Sequence, residues 1–173
     1  MMPLSYFGND ILRDPAQPVP KVSSEIKKLI EEMFETMREN NGVGLAAPQV
    51  GINKRVIVID DGQHEPLALV NPVLLRGKGE AEDTEGCLSL PGIYLPVKRF
   101  EKVSVRGRDL KDRSIVVDAE GFFARVIQHE MDHLEGKLFI DRVEDRVAVE
   151  QELVTLKDRL AEIALTGKWE PNE

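Results

Sequence analysis

The chain has 173 residues, enough for one domain with a proper core, and its 42% hydrophobic and 31% charged content is ordinary for a soluble globular protein. A net charge of −8 argues against broad binding to nucleic acid or anionic membranes, and no apolar run approaches the roughly 18 residues of a membrane span. The opening MMPLSYFGND lacks the basic-then-apolar pattern of a secretory signal, and the lone Cys87 forbids an internal disulfide and fits a reducing cytosol.

Residues 1–22 are proline-rich and are expected to wrap the surface. A helix is predicted over 24–40, where Ile26, Leu29, Ile30, Met33 and Met37 form an apolar stripe. Ser23 or Ser24 can cap its start, and Asn40-Asn41-Gly42 supplies a stop. The next stretch, GVGLAAPQVG (42–51), reads as that stop followed by a tight connection, and it carries Gln49, a neutral donor for an oxyanion. RVIVID (55–60) is a strand, and PLALVNPVLL (66–75) contains another, interrupted at Asn71-Pro72. EGCLSLPG (85–92) reads as a glycine-punctuated loop. KVSVRGRD (102–109) and SIVVDAE (114–120) read as strands joined by a turn at Asp109–Arg113.

A helix over 121–135 follows and stops at Gly136. On it, Phe122, Val126, His129 and His133 share one stripe, and Ile127, Met131 and Leu134 make an adjacent one. The histidines therefore sit at the edge of a buried surface. A last helix near 147–165 carries Val149, Leu153, Leu156, Leu160 and Ile163 at helical spacing and should dock through that seam. The expected class is α+β: small antiparallel sheets packed around the central helix, in one domain spanning 1–173.

The central helix carries QHEMDHLEG (128–136). His129 and His133 lie four apart, so both imidazoles leave one face, with Glu130 about 100° away. The H-E-x-x-H pattern suits a metal held by two histidines with the glutamate as general base; the bland alternative is the polar edge of a buried helix. A catalytic tetrahedral site needs a third protein ligand and leaves the fourth position to water. Cys87, His64, Glu135 and several acids are candidates. Glu135 faces the wrong way, and His64 belongs to an exposed turn. Cys87 is more often a small buried hydrophobe than a ligand in general, but its thiolate is the best available partner for two histidines.

GVGLAAPQ, EGCLS and QHEMDHLEG resemble, in order, the three signature motifs of the peptide deformylase family, and ILRDPAQPV is similar to the family's start. The resemblance covers most of residues 4–140. It implies Cys87, His129 and His133 as metal ligands, Glu130 as general acid/base, and Gln49 with the Leu88 N–H as oxyanion donors beside Gly44. Gly42, Val43, Glu85, Val126 and Tyr94 would border the substrate pocket, although related enzymes often carry arginine at the position of Tyr94. The implied reaction removes the N-formyl group from the N-terminal methionine of nascent polypeptides in the cytoplasm. The implied cofactor is one divalent ion, Fe2+ in the cell, with Zn2+, Ni2+ or Co2+ possible in purified protein. Two rivals remain: a zinc peptidase sharing H-E-x-x-H, which usually takes a downstream third ligand, and a non-catalytic protein with a structural metal, which needs a closed four-ligand site. Residues 141–173 hold five basic side chains against nine acidic ones, a balance that ribosomal RNA should repel.

Overall fold

The computed structural model describes residues 1–170. Helix α1 spans Ser24–Glu39, and the Ser23 side chain caps it by accepting from the Ile26 N–H at 3.4 Å. Its stripe is buried at Ile26, Ile30, Met33 and Met37, with Leu29 partly covered. The left-handed residue of the stop is Asn41, at φ 58°, and not Gly42.

Among the described residues, seven strands follow the helix: β1 (Gly44–Ala46), β2 (Val56–Ile59), β3 (Leu67–Lys78), β4 (Ala81–Cys87), β5 (Leu90–Arg99), β6 (Lys102–Arg108) and β7 (Ser114–Glu120). Five form an antiparallel sheet in the order β1-β2-β3-β6-β7, and β4 and β5 pair as a separate hairpin. Helix α2 (Gly121–Leu134) and helix α3 (Arg146–Thr166) complete the α+β fold.

The sheet has a helix on each face. Ile57, Ile59 and Leu69 pack with Phe123, Ala124 and Ile127 of α2, whereas Val56, Val58 and Val70 pack with α1. That is why β2 reads as an unbroken apolar run: both faces are covered, so no position calls for a polar residue. The hairpin builds a third cluster from Leu90, Ile93 and Val97, closed by Phe139, Val149 and Leu156. The α3 seam is buried at Val149 and Leu156 and partly covered at Leu153 and Leu160.

Four local expectations change. Asn71-Pro72 does not interrupt its strand. β3 runs through with a register shift between Val70 and Val73, because Pro72 has no N–H for the ladder and Asn71 takes φ 53°. GVGLAAPQVG is not a bare connection, since it contains β1 and a 3-10 turn at Ala47–Val50. EGCLSLPG is a hairpin, with Leu88–Ser89 as its two-residue turn. Residues 1–22 wrap the body as expected but also insert Leu12, Ala16, Val19 and Val22 into it, and the Asn71 amide clamps both backbone groups of Val19 at 2.8 and 2.7 Å.

Leu156 and Val154 sit on opposite sides of α3, at 1% and 71% exposure. Leu156→Ala should destabilise the fold by about 2–5 kcal/mol in denaturant titration, through lost burial and an unfilled cavity. Val154→Ala should stay within about 0.5 kcal/mol of the parent.

Candidate active site

The two histidines and Glu130 come from α2, one turn of which carries all three. Cys87 comes from the last residue of β4, where the hairpin turns back. The ligand atoms of Cys87, His129 and His133 lie within 4.8 Å of one another, and Cys87 Sγ is 3.4 Å from His133 Nε2. His129 uses Nδ1 toward Glu85 Oε1 at 2.9 Å, which leaves Nε2 as the ring nitrogen available to an ion. The alternative third ligands lie elsewhere. His64 is half-exposed, pairs with Asp61 and stacks on Phe123, while Glu135 pairs with Arg55 at 2.9 Å.

A cleft of about 400 Å³ opens onto this group. Gly42, Val43, Gly44 and Gln49 line one side, and Glu85, Cys87, Leu88 and Tyr94 of the hairpin line another. Val126, His129 and Glu130 of α2 line a third side, and His133 lies deeper, at 1% exposure. Two glycines let the walls approach. A Cβ on Gly44 would stand 2.6 Å from Glu130 Oε2, and one on Gly42 would stand 2.8 Å from Leu88 Cδ1.

Gln49 is fixed at both ends of its amide. Its Oε1 accepts from the Ala46 N–H at 2.9 Å, so its Nε2 faces the hairpin, 3.2 Å from Ser89 Oγ and 3.4 Å from Cys87 Sγ. Leu88 follows Cys87 directly in the turn.

Glu85 lines the cleft, yet its carboxylate is engaged behind it. Arg99 donates to it through Nε and Nη2 at 2.7 and 2.8 Å, and Arg125 Nη1 donates at 2.7 Å. Arg99 also reaches Asp132 on α2 at 2.7 Å, and Arg142 binds the same carboxylate at 2.6 and 2.9 Å. Burial alone would raise the Glu85 pKa, but the hydrogen bonds and charges of Arg99 and His129 outweigh it and hold it at about 2. Sequence reasoning missed this network and Ser89. Arg99 and Asp132 carry no local sequence signal of burial, and their pairing explains it.

Glu130 has the opposite environment. Burial, followed by the charges of Glu85 and Asp132, raises its pKa to about 7 against the pull of His129 and Arg99. Its Oε1 is buried without a hydrogen-bond partner among the described residues. Burial disfavours charge on His129, but Glu130, Cys87 and Glu85 overcome this and raise its pKa well above the usual histidine value. Burial, then the charge of His129, depresses that of His133.

A family model described as polypeptide deformylase matches residues 1–148. The chain is 52% identical over 140 residues to peptide deformylase 1 of Clostridium perfringens, covering 80% of this chain and 95% of that protein. It is 45% identical over 152 residues to the peptide deformylase of Dictyoglomus turgidum, covering 88% and 99%. Among solved structures, the Thermus thermophilus peptide deformylase superposes with a TM-score of 0.86 at 42% identity, covering 91% of this chain and 98% of that one. The Legionella pneumophila peptide deformylase superposes at 0.89 with 36% identity, covering 99% of each chain.

Arg99 is 5% exposed and holds two carboxylates on different elements. Arg99→Met should therefore cost about 3–5 kcal/mol in chemical unfolding, because it leaves buried charge underpaired. Glu85→Gln added to Arg99→Met should recover part of that loss, since glutamine brings no charge inside. A double variant less stable than Arg99→Met alone would contradict the electrostatic account.

Proposed function

The chain belongs to the peptide deformylase family, and on that premise we propose how its cleft removes the N-formyl group from the N-terminal methionine of new polypeptides. The observation that carries the reading is the meeting of three sequence-distant segments, around Gln49, Cys87 and His129–His133, at one buried cleft. We take residues 1–173 as one catalytic domain.

The donor set suits a divalent ion. One thiolate and two imidazoles, all within 4.8 Å, are the ligands such ions prefer, and three protein donors leave a position for water or substrate. Cys87, His129 and His133 would hold the ion, with Glu85 orienting His129. When bound, it supplies Lewis acidity and lowers the pKa of a water in the open position. Fe2+ is the ion of the cell in this reading, and Zn2+, Ni2+ or Co2+ can stand in.

The remaining steps belong to the chain's own side chains. Glu130, with a pKa of about 7, takes a proton from the attacking water and delivers it to the departing amine nitrogen. A proton carrier works best when its pKa is close to the working pH, and burial provides that here. Charge that collects on the formyl oxygen meets Gln49 Nε2 and the Leu88 N–H, donors of a kind worth about 3–4 kcal/mol each in a transition state. Gly44 keeps the backbone close to Glu130, which leaves space for hydrogen on the carbonyl carbon and little for methyl. Gly42, Val43, Glu85, Tyr94 and Val126 wall the space for the methionine and the chain behind it.

The substrates are N-formylmethionyl nascent chains, and their site of emergence places the enzyme in the cytoplasm. Among the described residues, no helix is long and apolar enough to cross a membrane. Residues 141–173, with nine acids against five bases, should be repelled by ribosomal RNA, and α3 within them, packed on the hairpin through Val149 and Leu156, is a structural clasp.

Anaerobic incubation with a formyl-Met peptide should yield stoichiometric formate and free amine, and an acetyl-Met peptide should react far more slowly. Glu130→Ala should retain the ion by metal analysis and lose nearly all turnover. Comparable rates on both peptides, or near-normal turnover by the variant, would remove this mechanism. For the ion, an iron-loaded sample should lose activity in aerated buffer while a nickel-loaded sample keeps it, since ferrous iron and Cys87 are both open to oxidation. Hours of undiminished iron-dependent activity in air would contradict that assignment.

A further inference from the structure

One wall of the cleft comes from outside the region matched by the family model. Trp169 lines the same cleft as Cys87 and Glu130, although it follows α3 and lies beyond residues 1–148. Its position is built by local chemistry. Gly167 ends α3 in the left-handed conformation, at φ 82°, and its N–H donates to the Ile163 carbonyl at 2.7 Å. The Thr166 hydroxyl lies 2.9 Å from the Glu162 carbonyl and 2.8 Å from the Lys168 carbonyl, donating to one at a time and holding the returning chain against the helix end.

The returning indole then meets a prepared surface. The Arg159 guanidinium lies 5.0 Å from the Trp169 ring centre, and its Nη1 donates to the Pro91 carbonyl at 3.1 Å. Gly92 provides the recess beneath them: a Cβ there would stand 2.5 Å from Arg159 Nη1 and 2.7 Å from the indole. The hairpin, the helix and the returning segment therefore fit one another at the cleft mouth.

Depth within the cleft says what this wall meets. The reacting groups are on its floor, with Glu130 at 4% exposure, whereas Tyr94 on the rim is 69% exposed and Trp169 is half-buried. A peptide that enters formyl end first leaves its second and third residues against the rim. We propose that Trp169 is a substrate-positioning residue that favours N-formyl peptides with large apolar side chains directly after the methionine. This rests on the deformylase reading and extends it to substrate choice. An indole offers such a side chain a broad apolar face at little entropic cost, and Arg159 and Gly92 hold that face in place before the peptide arrives.

Trp169 is the chain's only tryptophan, so its emission reports this position alone. The metal-loaded Glu130→Ala full chain, titrated with formyl-Met-Leu-Phe, should show a saturable shift of emission. In the Glu130-intact enzyme, Trp169→Ala should lower the ratio of kcat/KM for formyl-Met-Leu-Phe over formyl-Met-Gly-Gly about tenfold, through KM. Trp169→Phe should restore most of that ratio, and Val154→Ala on the exposed side of α3 should leave it in place. A lowered melting temperature with an unaltered ratio would show Trp169 to be a tether of the helix end and overturn the inference. Calorimetric binding of the peptide without any emission change would do the same. Normal formate release by the parent enzyme with an unaltered ratio overturns this inference alone. No formate release from either peptide overturns the deformylase reading and this inference with it.

Discussion

A negative charge carried into the interior by Glu85 is the constraint on which the site depends. An isolated buried carboxylate is costly, so the structure surrounds this one with Arg99, Arg125 and the Nδ1 of His129. The partners come from two pieces of the fold, the hairpin and α2. Arg99 ends β5, Arg125 lies in the second turn of α2, and His129 follows one turn later. Satisfying Glu85 therefore fixes the hairpin on the helix, and two residues beyond Glu85 stands Cys87. The Cys87 thiol meets the histidines because the nearby carboxylate has only one well-paired place to be. Asp132 extends the same logic by tying Arg99 to Arg142, beyond the helix.

Three buried acids on this network have different jobs because their neighbours differ. Glu85 and Asp132 are paired with arginines and serve as fixed anions. Among the described residues, Glu130 has no arginine within hydrogen-bond reach and one unpartnered oxygen, and burial is the largest influence on its titration. The contrast sets fixed anions beside a carboxyl raised to about 7 within one small volume, the kind of separation that acid–base chemistry near neutral pH requires.

The parts of this arrangement legible in sequence were those written in a period. His129 and His133 on one face of α2, the α1 stripe and the α3 seam all follow from helical spacing, and β2 announces itself by its β-branched run. The hairpin was not legible. β4 reads AEDTEGC, a charged stretch with little to bury, and β5 is broken in appearance by Pro91, Gly92 and Pro96. Its strand character comes from pairing and from packing on α3, which no local pattern records. The short β1 was hidden for a similar reason, since Gly44 and Ala46 have weak strand preference and pair because β2 is beside them. Neither the Arg99 network nor Trp169 carries a local signal: one depends on partners 14 and 33 residues away, the other on a turn after the last helix.

The hairpin also has a topological standing of its own. β3 and β6 are direct neighbours in the sheet, so everything between them, β4 and β5 included, is an excursion from a ladder that closes without it. The excursion carries the thiol, while the imidazoles stand on a helix packed in a different cluster. Detaching the hairpin dismantles the cleft and leaves the five-stranded ladder hydrogen-bonded. Opening of the hairpin and global denaturation are therefore distinct events in this architecture. Hydrogen exchange at the hairpin amides, compared with those of β2, measures the gap between the two.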